Sequence, residues 1–327
     1  MLTTPVLRCL HQQKDSEIHF LTKKNFQGIL LPNPYIHQVH LLGADFSEML
    51  AALRKEKFDQ IIDLHQNLRS WRVRMALRAP SVGFDKINWQ KWLMVKFKWN
   101  RLPTIHIVHR YLAALQPKGV SYDGAGLDYF IPPDQELDPA VLADQYFSHQ
   151  ENPRNLMAEG KYVALVIGAA HATKRLPISK IIAICKALQF PILLLGGPGD
   201  QETGKEIENK GGNHIKNTAG SYSLHQSASL VRQAALVITH DTGLMHIAAA
   251  FQKPIISIWG NTIPEFGMYP FYRDGMERNQ SQEVKELSCR PCSKIGFSEC
   301  PKGHFKCMEQ IDVSIIVVQA HEKLLNP

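Results

Sequence analysis

Short, fully apolar runs recur along this chain, separated by longer stretches whose apolar positions fall every three or four residues. Tyr162-Val163-Ala164-Leu165-Val166-Ile167 is one such run, Leu236-Val237-Ile238 another, and Ile255-Ile256-Ser257-Ile258 is broken by one serine. Runs this short predict strands buried on both faces, as in parallel sheets. The second half predicts strands near 162–167, 191–195, 214–217, 235–239 and 254–258, with helices near 178–188, 200–210, 223–233 and 312–325. In the first half, strands are predicted near 17–22, 38–42, 58–64, 79–84 and 127–131, and helices near 45–56, 66–78, 88–98 and 105–116. Residues 132–160, rich in Pro, Asp, Glu and Asn, read as a linker with one short helix near 138–148. Alternation on this scale predicts an α/β protein: two doubly wound domains, 1–150 and 151–327, facing each other across a cleft.

The segment Leu236 to Thr262 reads strand, sharp turn, helix, strand. Asp241 has the chemistry of an N-cap for a helix over Thr242 to Phe251, and Lys253-Pro254 ends that helix. Thr242 and His246, four apart, share one face; Leu244, Ile247, Ala248 and Phe251 fall on the core side. A polar pair beside a helix N-terminus, at the carboxyl end of a parallel strand, is where open α/β sheets bind ligands. The same pattern also describes a capped helix with one partly buried histidine.

Composition changes this picture only locally. The 327 residues suit two domains, and the net charge of +7 is dispersed rather than gathered in tracts. No apolar run reaches the roughly 18 residues of a membrane span, and the N-terminus lacks the apolar region of a signal peptide, so a cytoplasmic location is expected. Lys86, Lys91, Lys96, Lys98 and Arg101 do cluster, interleaved with Trp89, Trp92, Phe97 and Trp99. That mixture suits anionic lipid headgroups, nucleic acid, or an amphipathic helix with its tryptophans packed inward. Cys289, Cys292, Cys300 and Cys307 are spaced C-x2-C-x7-C-x6-C, which leaves structural zinc or free thiols as the alternatives in a reducing compartment.

More specific than any spacing, D-T-G-x-M-H, then A-A-A and K-P-I-x-S-I-W-G-x-T, from Asp241 to Thr262, resembles the donor-binding segment of glycosyltransferase family 9, the ADP-heptose:lipopolysaccharide heptosyltransferases. Phe58 to Leu64 followed by Gln66-Asn67-Leu68-Arg69-Ser70 is similar to that family's first-half motif. Gly168 to Pro177 resembles its G-A-x-x-x-x-K-R-x-P turn, and Leu195 to Pro198 its next strand end. The cysteine-rich tail occurs in some members.

The resemblance implies two Rossmann-like domains of GT-B type, the first on the acceptor side and the second binding the donor. It implies inverting transfer of a heptose or related sugar from an ADP-sugar to a lipid-linked lipopolysaccharide core acceptor, at the inner face of the cytoplasmic membrane, with no nucleic-acid partner. A leaving nucleotide diphosphate needs fixed positive potential. The helix N-terminus at Thr242-Gly243 and the cation Lys174 supply it, and without an Asp-x-Asp run to hold a divalent cation no catalytic cofactor is expected. By resemblance Thr173 and Lys174 reach the diphosphate and Asp241 the donor sugar; His246 is either a further donor to the diphosphate or a packed structural histidine, and Asp200 lies where such domains hold a ribose. His65, Asn67 and Arg69 follow a strand end and fall to the acceptor; Arg suits phosphate or carboxylate through its fork. Family members open with a strand and a Gly-Asp turn whose aspartate is taken as general base. Met1 to Leu7 matches the helix after that turn, so the catalytic base is unassigned and a start about ten to fifteen residues upstream is expected. A sugar-nucleotide epimerase or hydrolase, or a binding protein without turnover, are the competing readings.

Overall fold

The computed structural model describes residues 1–43, 45–148 and 160–325. Two compact units emerge: Met1–Ile87 with Ile105–Phe130, and Asn88–Thr104 with Ile131–Pro327. Residues 149–159 of the expected linker lie outside the described residues.

In the first unit α1 (Thr4–Lys14) precedes β1 (His19–Thr22), α2 (Gln27–Leu30), β2 (Gln38–Leu41), α3 (Phe46–Lys55), β3 (Ile61–Asp63), α4 (Leu68–Leu77) and β4 (Ser81–Gly83). Helix α5 (Asn88–Phe97) belongs to the second unit, and α6 (Ile107–Ala113) returns to the first. Local chemistry starts the helices. Asp45 caps α3 by accepting from the Ser47 and Glu48 amides, and Asn67 and Ser70 form a reciprocal capping box on α4. The strands pair in parallel as two separate ladders, β1 with β2 and β3 with β4. The strand predicted over 127–131 does not form. Instead the Asp128 amide donates to Thr4 Oγ1 at 2.9 Å, so that segment is tied to α1 rather than to a ladder.

The second unit carries α7 (Pro139–Phe147), β5 (Val163–Val166), α8 (Ile178–Ala187), β6 (Ile192–Leu195), α9 (Gln201–Gly211), β7 (Ile215–Asn217) and α10 (Leu224–Gln233). Then follow β8 (Leu236–His240), α11 (Gly243–Ala250), β9 (Ile255–Trp259), β10 (Asn279–Glu283), α12 (Lys306–Glu309) and α13 (Val313–Leu325). One parallel sheet runs β10-β9-β8-β5-β6-β7. In chain order that is 3-2-1-4-5-6 read from β7, the dinucleotide-binding order. β5, β6, β8 and β9 are buried at every position, as their apolar runs predict. Ile181 and Ile184 of α8 and Ile316 and Ala320 of α13 pack on one face of the sheet with Leu165, Ile238 and Ile256. Strand β10 was not foreseen: Asn279-Gln280-Ser281-Gln282-Glu283 has no apolar residue. A polar strand belongs at a sheet edge, where it deters further pairing.

Candidate functional site

β5 continues to β6 on one side of the sheet and β8 to β9 on the other. The loops leaving their carboxyl ends therefore diverge and open a crevice, the switch point where doubly wound sheets take ligands. Lys174 ends a 3-10 turn in the loop after β5, and Asp241 directly follows β8. Lys174 Nζ donates to Asp241 Oδ2 at 2.6 Å, with the two side chains 13% and 14% exposed. Thr262, beyond the end of β9, donates to the same oxygen at 3.0 Å. Three neighbouring strand ends thus converge on one carboxylate and hold an ammonium group beside the crevice.

This arrangement corrects the capping role expected of Asp241. Thr242 occupies the cap position without a side-chain cap bond, and α11 begins at Gly243 and ends at Ala250. The carboxylate is taken by an ammonium ion, and a charge-assisted bond of that kind is about twice as strong as a neutral one. Gly243 is exposed, and a Cβ built on it would meet nothing within 4 Å. An uncapped helix start therefore lies open near a held cation, a combination suited to an anion.

His246 is 8% exposed, and its Nδ1 is buried without a hydrogen-bond partner. Burial, reinforced by the Lys174 charge, pushes its pKa down to about 3, so the ring is neutral at ordinary pH. Two further expected donor residues have other partners. Thr173 Oγ1 donates to the Phe297 carbonyl at 3.1 Å and accepts from the Phe297 amide at 2.9 Å, stitching the cysteine-rich segment to the Lys174 loop. Asp200 Oδ2 accepts from the Gly197 amide at 2.9 Å, and Oδ1 pairs with Arg175 at 3.0 Å. Its carboxylate crosses so close to Gly168 that a Cβ there would stand 2.2 Å from Oδ2.

Sequence reasoning missed several residues that shape the crevice. His240 Nε2 accepts from the Leu176 amide at 2.9 Å and fastens β8 to the Lys174 loop; burial pushes its pKa down to about 4. Asn261, beside Thr262, is buried with both amide atoms unpartnered. Arg290 donates to the Gly260 carbonyl at 2.5 Å and the Thr262 carbonyl at 3.0 Å, and pairs with Glu283 at 2.9 Å. The signal for Arg290 is its place inside C-R-P-C. All six cysteines are free thiols. Cys289 Sγ lies 3.8 Å from His304 Nε2, and the Cys292 thiol donates to the Cys289 carbonyl at 3.1 Å. Among the described residues, only two histidine–glutamate groups bring three ligand atoms within 4.8 Å of one another. Cys289, Cys292, Cys300 and Cys307 are therefore not gathered into the tetrahedral cage that zinc requires.

In the first unit the residues expected at the acceptor divide. Asn67 is committed to capping α4. Asp63 accepts from the His65 and Gln66 amides and from Ser70 Oγ, fixing the turn that leaves His65 exposed. Arg69 lines a cavity of about 500 Å³ with Lys23, Arg72, Asn25, Leu42, Gly43 and Phe46. The Arg72 guanidinium sits 4.5 Å over the Phe46 ring. Three cations around one concavity make it a second anion-attracting surface. Around α6, His106 caps the helix by accepting from the Val108 amide and Arg110 donates to the Asp85 carbonyl.

A doubly wound sheet with a fixed cation and an open helix start at its switch point defines a class of α/β domain whose crevice is suited to an anionic ligand. The model of glycosyltransferase family 9 (heptosyltransferase) matches residues 47–301, and the chain belongs to that family. It is a glycosyltransferase. Lipopolysaccharide heptosyltransferase 1 of Campylobacter coli is 26% identical over 293 residues, 82% of this chain and 80% of that protein. Lipopolysaccharide heptosyltransferase 2 of Escherichia coli K12 is 28% identical over 254 residues, 72% of this chain and 69% of that protein. Among solved structures, a family 9 glycosyltransferase from Veillonella parvula superposes with a TM-score of 0.74 at 21% identity, covering 100% of this chain and 94% of that one. The E. coli ADP-heptose lipopolysaccharide heptosyltransferase II gives 0.69 at 17% identity, covering 99% and 94%. These two likenesses place the fold in the GT-B type, as expected.

Proposed function

We propose that this chain transfers a heptose, with inversion and without a catalytic metal, from an ADP-sugar to a lipopolysaccharide core acceptor. The observation that carries the donor side is the Lys174–Asp241–Thr262 constellation beside the open start of α11. When the sugar C1–O bond breaks, negative charge gathers on the departing diphosphate. Lys174 and the α11 amides are fixed positive features placed to meet it, so no reorganisation is needed at that moment. Asp241 and Thr262 position the ammonium; Asp241, paired to it, is free to accept from sugar hydroxyls through its second oxygen. His246, neutral, offers a hydrogen bond rather than a charge. No residue described here is assigned as the base for the acceptor hydroxyl.

On the acceptor side, Lys23, Arg69 and Arg72 suit the phosphate or carboxylate groups of an acidic core sugar. Among the described residues no helix is long and apolar enough to cross a membrane. A lipid-linked acceptor is instead reached by peripheral contact, which the exposed Trp89, Trp92, Phe97 and Trp99 support. They flank Lys91, Lys96 and Lys98 on and beside α5.

The test is transfer from ADP-heptose to deacylated core oligosaccharide, with and without chelator. Product formation insensitive to chelator is expected, and Lys174→Ala lowers kcat/KM by roughly 10²- to 10³-fold. Full activity in Lys174→Ala would remove the donor assignment, and chelator-dependent activity would remove the metal-independent mechanism.

A further inference from the structure

Outside the proposed transfer site, imidazoles and carboxylates meet where β1 and β2 begin. Glu17 precedes β1, His19 is its first residue, and His37 stands just before β2. Glu17 Oε1 lies 3.2 Å from His19 Nε2 and 3.2 Å from His37 Nε2. All three ligand atoms fall within 4.8 Å of one another. Bonds of 2.0–2.1 Å to a tetrahedral ion separate neighbouring ligand atoms by about 3.3 Å, so two edges of the coordination figure already have the right length. The backbone holds the pieces in register: the His37 amide donates to the Ile18 carbonyl at 2.9 Å, and His19 pairs with Gln38 in the ladder.

The other face of the His19 ring supplies an independent observation. His19 Nδ1 lies 2.9 Å from His40 Nε2, and the two rings stack with centroids 5.1 Å apart. The edge of His19 also meets Phe58, 5.1 Å between centroids. A histidine that binds a metal through one nitrogen nearly always has the other hydrogen-bonded, which fixes its tautomer and aim. Without an ion Nε2 of His19 can donate to Glu17; the tautomer that instead donates from Nδ1 to His40 turns the Nε2 lone pair toward Glu17 and His37, as an ion bound there requires. Side-chain exposures of 66% for Glu17 and 59% for His37 leave a fourth position open to water.

We propose that Glu17, His19 and His37 form a binding site for a divalent transition ion that prefers imidazole, such as zinc. Two histidines and one carboxylate with an open position form a known ligand set for such ions, whereas calcium and magnesium select all-oxygen sites. Bound there, the ion cross-links the turn before β1 to the start of β2. His40 acts behind His19 as a positioning residue.

The experiment is a calorimetric titration of the metal-stripped full chain with zinc, repeated with cobalt, whose visible spectrum reports its ligands. It is run in the wild type and in a Cys289→Ser/Cys292→Ser background. The expected result is one saturable ion, a cobalt spectrum without thiolate charge-transfer bands, and no change in the cysteine background. His37→Ala and Glu17→Gln, at exposed positions, keep native circular dichroism and weaken binding at least about ten-fold; His40→Ala weakens it roughly 10- to 100-fold. Binding that is lost in the cysteine background, binding unchanged in both His37→Ala and Glu17→Gln, or no saturable binding at all overturns the proposal.

Discussion

In the second unit six parallel strands make one sheet, and four of them are buried at every position. In the first, β1 to β4 form two separate ladders of mostly half-buried residues, and the deepest burial falls on helices, with Thr4 to Leu10 of α1 all buried. The second unit is held by apolar burial spread over many strand residues. The first relies on a few polar ties. Arg8, 4% exposed, forks onto Asp123 at 2.6 and 2.9 Å, meets Asp128, and donates to the Gly126 carbonyl at 2.9 Å. These bonds lock α1 to the segment that was expected to be a strand. Polar ties of this kind concentrate stability in single residues, whereas a sheet core distributes it.

The sharpest way to break that contrast is Arg8→Ala. It strands two part-buried carboxylates, and breaking such a network costs about 3–5 kcal/mol. The first unit is expected to unfold at markedly lower denaturant, while hydrogen exchange in β5 and β8 stays protected. Equal loss of protection in both units would show that the polar ties are not what separates them.

The same contrast explains what was legible in the sequence. Apolar runs such as Val163–Val166 carry strand and burial in one signal, so the second sheet, and the crevice at its switch point, could be read from the chain. Lys174 and Asp241 lie at the strand ends that border that crevice, and His246 on the helix that leaves it. What stayed hidden were partners far away in sequence: Asp241, expected as a cap, holds Lys174 and Thr262, Thr173 meets Phe297, and Asp200 meets Arg175. No local pattern encodes which of two polar groups a carboxylate will choose. β10, with five polar residues, and the Leu127–Ile131 segment, apolar but for Asp128 yet unladdered, fail for the converse reason: pairing is decided by the neighbour, not by the segment's own composition.

The buried histidines sharpen the comparison through pH. In the unfolded chain His240 takes a proton near pH 6.5; in the folded unit burial holds its pKa down to about 4. Between those values the unfolded state binds the proton and the folded state does not. Stability of the second unit is therefore complete above about pH 6.5 and declines as pH falls toward 4, by up to about 3 kcal/mol. His246 adds to the loss with the same sign. His240→Gln, which keeps an acceptor near the Leu176 amide but cannot titrate, flattens this slope in thermal melts at stepped pH. An unchanged slope would assign the acid sensitivity elsewhere.

A smaller effect separates folding from function inside the crevice. A side chain at Gly243 has open space, and Ala is the better helix former. Gly243→Ala is thus expected to hold or raise the melting temperature while its methyl group keeps phosphate from the α11 amides, weakening ADP-sugar binding about tenfold. Unchanged affinity would mean that the donor does not approach this helix start.

The smallest effect on stability belongs to α5, where one of the three readings of the basic, aromatic cluster, tryptophans packed inward, fails. None of its residues is buried; Trp89 within it and Trp99 just beyond its end are 65% and 62% exposed. Trp89 stacks on Trp92 with centroids 4.8 Å apart, so the rings cover each other rather than a core. Lys98 anchors the end of the helix by donating to the Pro291 carbonyl at 2.7 Å. Trp89→Ser with Trp99→Ser should therefore change folding free energy by no more than about 0.5 kcal/mol per site, as for other surface positions. Sedimentation with vesicles of anionic phospholipid should nevertheless fall clearly below that of the wild type, and neutral vesicles should capture little of either. If the double variant sediments as well as the wild type, the aromatic rings are not what meets the lipid; if it unfolds, they pack in solution as they do not here.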